Sequence, residues 1–65
     1  MIRVTLRNGK SIFINPFWIE SVGKDDDGNT HIYVYNNDGS YIVQEDVKTI
    51  VIRIEAEKGR INETY

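Results

Sequence analysis

The 65-residue chain contains no cysteine, one proline, one histidine and one tryptophan. Without cysteine there is no disulfide staple, no thiolate zinc site and no cysteine nucleophile. The one histidine has no second histidine or thiolate with which to share a metal. Apolar runs are short, none approaching the ~18 residues of a membrane-spanning helix, and no signal-peptide core follows Met1. Positive charge is scarce too. Eight basic against ten acidic side chains give a formal net charge of -2, which removes the broad basic footprint of a nucleic-acid binder. Glycine-rich phosphate loops are missing, since neither Gly-x-Gly-x-x-Gly nor the P-loop spacing occurs. A chain of this length buries only about 60% of its unfolded surface, which leaves little room for a deep catalytic cleft. The expectation is one small cytoplasmic domain held by packing alone.

What is present is enough to fold. Hydrophobic residues make up 40% of the chain and charged residues 28%, too apolar for a disordered tail. Ile2, Val4 and Leu6 alternate with Arg3, Thr5 and Arg7, the period-2 pattern of a half-buried strand. Asn8-Gly9 then turns the chain, because both residues tolerate positive φ. A two-residue loop of Asn8-Gly9 sets Val4 opposite Phe13. A three-residue loop of Arg7-Asn8-Gly9 sets Val4 opposite Ile12 and Ile2 opposite Ile14, gathering the aliphatic residues on one face. The second register is preferred, and it turns Phe13 to the other side. Asn15-Pro16 stops the return strand, since Pro16 has no ladder donor. Phe17 to Val22 is expected to turn into a third strand anchored by Ile19 and Val22, and Gly23 to Asn29 reads as a polar loop.

Thr30 to Tyr35 is the clearest strand, rich in β-branched and aromatic residues. Asn36-Asn37-Asp38-Gly39 turns it and Tyr41-Ile42-Val43 returns, a second hairpin. Its strand carries Ile32 and Val34 on one face and Tyr33 and Tyr35 on the other, so both faces are fairly apolar. From Gln44 onward two periods compete. Ile50, Ile52 and Ile54 alternate as in a strand, whereas Val47, Ile50, Val51 and Ile54 follow helical spacing. The boundaries favour a helix over about 46–58: Asp46 suits an N-cap, and Lys58-Gly59 suits a C-terminus, leaving 59–65 as a frayed tail. The fold class is α+β, a curled, barrel-like antiparallel sheet of four or five strands followed by one C-terminal helix. The domain spans residues 1–58. Its expected core comprises Ile2, Val4, Leu6, Ile12, Ile14, Ile19, Val22, Ile32, Val34, Ile42, Val43, Val47, Ile50 and Ile54, with Val51.

No side chain is assigned to catalysis, to a cofactor or to a metal. Asp25-Asp26-Asp27-Gly28-Asn29 has the oxygen-rich look of a calcium loop, but position twelve counted from Asp25 is Asn36, and no helices flank it. It reads as a solvated turn. His31 lacks a partner at any identifiable triad spacing. Ser11, Ser21 and Ser40 lack a nucleophile-elbow pattern and suit turn hydrogen bonding. Nothing in their spacing juxtaposes Glu20, Glu45 and Asp46 as a carboxylate pair.

The order of these pieces resembles the FlbD-type family of small flagellar proteins. The resemblance rests on Met1-Ile2 with Thr5 and Leu6, Asn8-Gly9-Lys10, Asn15-Pro16, Ile19-Glu20, Val34, Gly39, Tyr41, Val43, Glu45 and Val47, and covers residues 1–54. It implies a β-rich module followed by a helix, with a non-catalytic accessory role in motility or flagellar motor output. It carries over no catalytic residue. Small relatives of this kind also occur as phage-borne domains. A second class is a small RNA-binding regulator resembling carbon-storage-regulator-type proteins, with Arg3, Arg7 and Lys10 as a basic edge near Tyr33 or Tyr35. That family's opening Gly-x-x-Ile-x-Ile-Gly pattern is not reproduced, and the acidic balance opposes phosphate attraction.

Aromatic residues are the surplus. Phe13, Phe17, Trp18, Tyr33, Tyr35 and Tyr41 are six large rings within 29 residues. A core of this size cannot hold all of them beside its aliphatic set; either the chain's own helix covers the sheet face that bears them, or they dock on another chain, as Trp and Tyr are favoured interface anchors. The sequence therefore points to a non-enzymatic interaction module, a FlbD-like motility accessory acting as an oligomer. These six rings are its expected contact residues, and its partner is itself or another protein.

Overall fold

The computed structural model describes residues 1–62, with side-chain surroundings through Gly59. Five strands precede one helix: β1 (Ile2–Thr5), β2 (Ser11–Ile14), β3 (Ile19–Lys24), β4 (Thr30–Val34), β5 (Ser40–Val43) and α1 (Val47–Asn62). A 3-10 turn, Pro16–Trp18, links β2 to β3. β1 and β2 pair antiparallel, and β3, β4 and β5 form a three-stranded antiparallel sheet in that order. A short seam joins the two sheets. Leu6 bridges Val43, the Arg7 N–H donates to the Ile42 carbonyl at 3.1 Å, and the Gln44 N–H donates to the Thr5 carbonyl at 2.8 Å. The architecture is α+β, as expected, but the sheets do not close into a barrel.

The first hairpin adopts the three-residue register. Ile2 faces Ile14, Val4 faces Ile12, and Arg3 faces Phe13. Gly9 sits at φ 92°, where a side chain would be strained, and its N–H donates to the Leu6 carbonyl at 2.9 Å. The Asn8 side chain accepts from the Lys10 N–H at 3.0 Å. The polar loop after β3 is shorter than the sequence suggests. Gly23 and Lys24 remain in the strand, paired with His31 and Thr30, because the Asp25–Asn29 turn is self-contained.

The helical period wins in the C-terminal segment. Asp46 caps the helix, its carboxylate accepting the Thr49 N–H at 2.8 Å. The expected stop at Gly59 is corrected: α1 continues through it to Asn62, and Gly59 is not in the left-handed conformation of a C-cap. Glycine inside a helix costs about 1 kcal/mol relative to alanine, which a helix packed along its length can absorb. Of the expected tail, residues 59–62 are therefore helical, and 63–65 lie outside the described residues.

Ile2, Val4, Ile14, Ile32, Val43 and Ile50 form the buried core, and Leu6, Ile12, Ile19, Val22, Val34, Tyr41 and Ile54 pack against it. Three expected members, Ile42, Val47 and Val51, do not belong to that cluster. Ile42 lies opposite His31 on the outer face, because its neighbour Val43 takes the inner one and successive strand residues alternate. Val51 is exposed, since the helix points its Ile50 and Ile54 stripe inward. Val47 is half-buried at the start of the helix.

Ile50 is completely buried, and it is the one helix residue among the six core members. Ile50→Ala is expected to destabilise the fold by about 2–5 kcal/mol through lost burial and a residual cavity. Val51→Ala should cost less than about 1 kcal/mol. Urea denaturation followed by circular dichroism separates the two. Equal losses would mean that α1 packs on a different face.

Candidate interaction face

Pro16 is buried and anchors the 3-10 turn from which two rings project. Asn15 caps that turn, accepting the Phe17 N–H at 3.0 Å through its side chain and the Trp18 N–H at 3.0 Å through its carbonyl. The Trp18 carbonyl in turn accepts the Tyr35 N–H at 2.9 Å. The backbone under Trp18 is thus fixed on both sides, while its indole remains 66% exposed.

Two concavities flank that indole. One has a volume of about 280 Å³ and is lined by Met1, Phe13, Ile14, Asn15, Trp18, Val34 and Tyr41. The other, of about 440 Å³, is lined by Trp18, Val34, Tyr35, Asn36, Asn37 and Tyr41. They share Trp18, Val34 and Tyr41, so they form one continuous face. Among the described residues no charged side chain lines either. Of the six rings singled out by the sequence, the fold brings together Phe13, Trp18, Tyr35 and Tyr41. Tyr41 is half-buried, facing Ile32 across the β4–β5 pair.

Two rings lie elsewhere. Phe17 turns toward the helix, where the Lys58 ammonium sits 5.4 Å from its ring centroid, a cation–π contact. Tyr33 stands on the outer face of β4, stacked on His31 with centroids 6.0 Å apart. That outer face is held by a polar relay the sequence did not disclose. His31 Nε2 lies 2.6 Å from Asp25 Oδ2, and His31 Nδ1 lies 2.7 Å from Ser40 Oγ. An ionised carboxylate only accepts, so Nε2 carries a proton. In the neutral ring the Ser40 hydroxyl then donates to Nδ1. The hydrogen bond with His31 is the main reason the Asp25 carboxyl falls to about 2, helped by the backbone N–H of Asn29. Only the register of the second hairpin, which sets Ser40 opposite Tyr33 and so diagonal to His31, would have revealed this group.

The connectivity is that of a nucleophile, base and acid, yet its setting is structural. Asp25 also accepts the N–H groups of Asp27 and Asn29, both at 2.9 Å, and so closes the β3–β4 turn. The relay ties that turn to β5. The same contacts occupy the aspartate that suggested a calcium loop.

Glu45 is a second staple. It accepts from the Thr5 N–H at 2.9 Å, the Thr5 hydroxyl at 3.1 Å and Arg53 Nη1 at 3.1 Å, while Arg53 also donates to the Arg3 carbonyl at 2.7 Å. Burial raises the Glu45 pKa, but these hydrogen bonds outweigh it and the net shift is downward. Asp46 is lowered as well, chiefly by Thr49. The basic residues do not gather beside the tyrosines. Arg7 lines a separate groove with Lys24 and Asp46, whereas Arg3 lies across β1–β2 from Phe13.

The family model described as "Flagellar and Swarming motility proteins" matches residues 1–62. No curated protein and no solved structure matches the chain.

The three lowered carboxylates fix a pH dependence. A carboxyl whose folded pKa lies below its unfolded value stabilises the fold above the unfolded pKa, and that stability disappears as pH falls through the folded one. Stability is therefore expected to decline as pH drops below ordinary values of 4.5 and 3.8, with the Asp25 share lost only near 2. Glu45→Gln should cost about 1–3 kcal/mol at neutral pH, the range for hydrogen bonds to a charged group, and progressively less in acid. Thermal unfolding of both proteins from pH 7 to pH 2 measures this. A constant difference across that range would mean that the Glu45 charge plays no part.

Proposed function

Because the chain belongs to the FlbD family of flagellar and swarming motility proteins, we propose that it is a non-enzymatic cytoplasmic accessory of motility. It acts as an oligomeric module through protein–protein contact, and the face around Trp18 is its contact surface. One observation carries this reading: a continuous face, lined by no charged side chain among the described residues, that bears an exposed indole on a rigid turn. Interface centres are depleted of charge and enriched in aromatic residues, and Trp is prominent among hot spots. The polar groups that would otherwise suggest chemistry serve the fold instead. Asp25, Glu45 and Asp46 each hold backbone N–H groups, closing a turn, joining α1 to β1, and capping a helix. Family membership supplies the motility context, and the face supplies a means of acting without catalysis.

Replacing the native copy with Trp18→Ala is expected to reduce swarming or motor output while leaving the protein folded and at its normal level. Truncating an exposed ring removes contact area rather than core packing, so the loss of fold stability should stay within about 1 kcal/mol. Motility assays with circular dichroism and immunoblotting as controls read the result. Full motility in cells carrying this variant would overturn the proposed role of the face.

A further inference from the structure

We infer that the occupant of this face is a second copy of the chain, docked about a two-fold axis so that each Trp18 enters the concavity beside its partner's Trp18. This rests on the contact role proposed above and adds the partner and the manner of docking. The first argument is shape. In an isologous pair the same patch serves both copies, so residue i meets j and j meets i. That demands a projection and a recess close together on one face. Trp18 is the projection, and the recess of about 280 Å³ lined by Phe13, Ile14, Val34 and Tyr41 adjoins it.

The second argument is charge. Among the described residues no charged side chain lines either concavity, and the Met1 ammonium at the first is 3.9 Å from the Glu57 carboxylate. Self-docking therefore brings no like-charged side chains together in the recess, with Arg3 and the Glu57-paired Met1 ammonium at its margin. The uncharged polar margin of the face consists of Asn15, Asn36 and Asn37. Amides both donate and accept, so this rim is chemically complementary to itself.

The third argument is area. Phe13, Trp18 and Tyr35 are 65%, 66% and 56% exposed. At ~200 Å² per ring they offer on the order of 370 Å². Met1, Tyr41, Val34 and the three amides bring the face toward the ~600 Å² per partner of the smaller specific interfaces. Interfaces at this low end of the range belong to weak, reversible pairs.

Because Trp18 is the chain's one tryptophan, its emission reports on this face alone. Sedimentation equilibrium and fluorescence across a dilution series test the inference. The expected result is a dimer mass at high concentration, with Trp18 emission shifting to shorter wavelength as the dimer forms. Trp18→Ala should weaken dimerisation at least about tenfold. Phe13→Glu should do the same, because it puts a carboxylate into each recess. Its folding is protected by Arg3, directly across the hairpin. A parent that stays monomeric up to about 1 mM, or a dimer undisturbed by both variants, overturns the inference. A monomeric parent whose Trp18→Ala variant still loses motility overturns the second-copy docking and the oligomeric form proposed above, and leaves the contact role of the face standing.

Discussion

One helix covers one side of a sheet, and that geometric limit governs the rest of the molecule. The inner faces of β1, β2, β4 and β5 supply Ile2, Val4, Ile14, Ile32 and Val43, and Ile50 of α1 closes over them. Because strand residues alternate, every inward aliphatic is followed by an outward side chain that this helix cannot reach. On the outer face of β4 and β5, His31 and Ser40 are tied by their hydrogen bonds, beside Tyr33 and Ile42. Around the 3-10 turn, the uncovered positions are aromatic instead. The contrast between these two regions, more than the number of rings, is the reason the latter is proposed as the contact surface.

The acidic residues follow a related logic. A sheet this small exposes backbone donors wherever the chain reverses or changes element, and those donors need partners. Asp25 satisfies two of them in the β3–β4 turn, and Asp46 satisfies one at the start of α1. Glu45 reaches back to Thr5 and is held by Arg53, so it fixes how the helix leaves the sheet. The carboxylates are thus local fasteners whose ionisation is favoured by what they bind. Perturbed pKa values often mark active sites, but structural networks perturb them too, and here each perturber is an identifiable fold contact.

Much of the fold was legible in the sequence because its signals are local. Asn8-Gly9 and the alternation on either side determine the first hairpin's register, and Asp46 announces the helix start. The C-terminal stop was misread because Gly59 is ambiguous by itself: glycine ends a helix only where the chain takes a left-handed step, and here it does not. Placing Ile42 with the core failed because Val43 competes for the same side and only the pairing with β4 decides between them. The Asp25–His31–Ser40 relay was invisible because its members are brought together by a loop and a ladder, not by spacing. The six rings could be counted but not sorted. That Phe17 meets Lys58 while Trp18 stands free depends on the angle at which α1 crosses the turn.

The position of Trp18 links the local signals to the role. An exposed indole on a flexible loop would lose much of its binding energy to ordering the backbone beneath it. Here that ordering is already complete in the folded chain. Pro16 is buried, Asn15 caps the turn, and the Trp18 carbonyl is bonded to the Tyr35 N–H, so both hairpins brace the same three residues. The residues that stop β2 therefore also set the angle of the ring. Asn15-Pro16, which in the sequence reads as a strand terminator, is in the folded protein the mount that presents Trp18 between its two concavities.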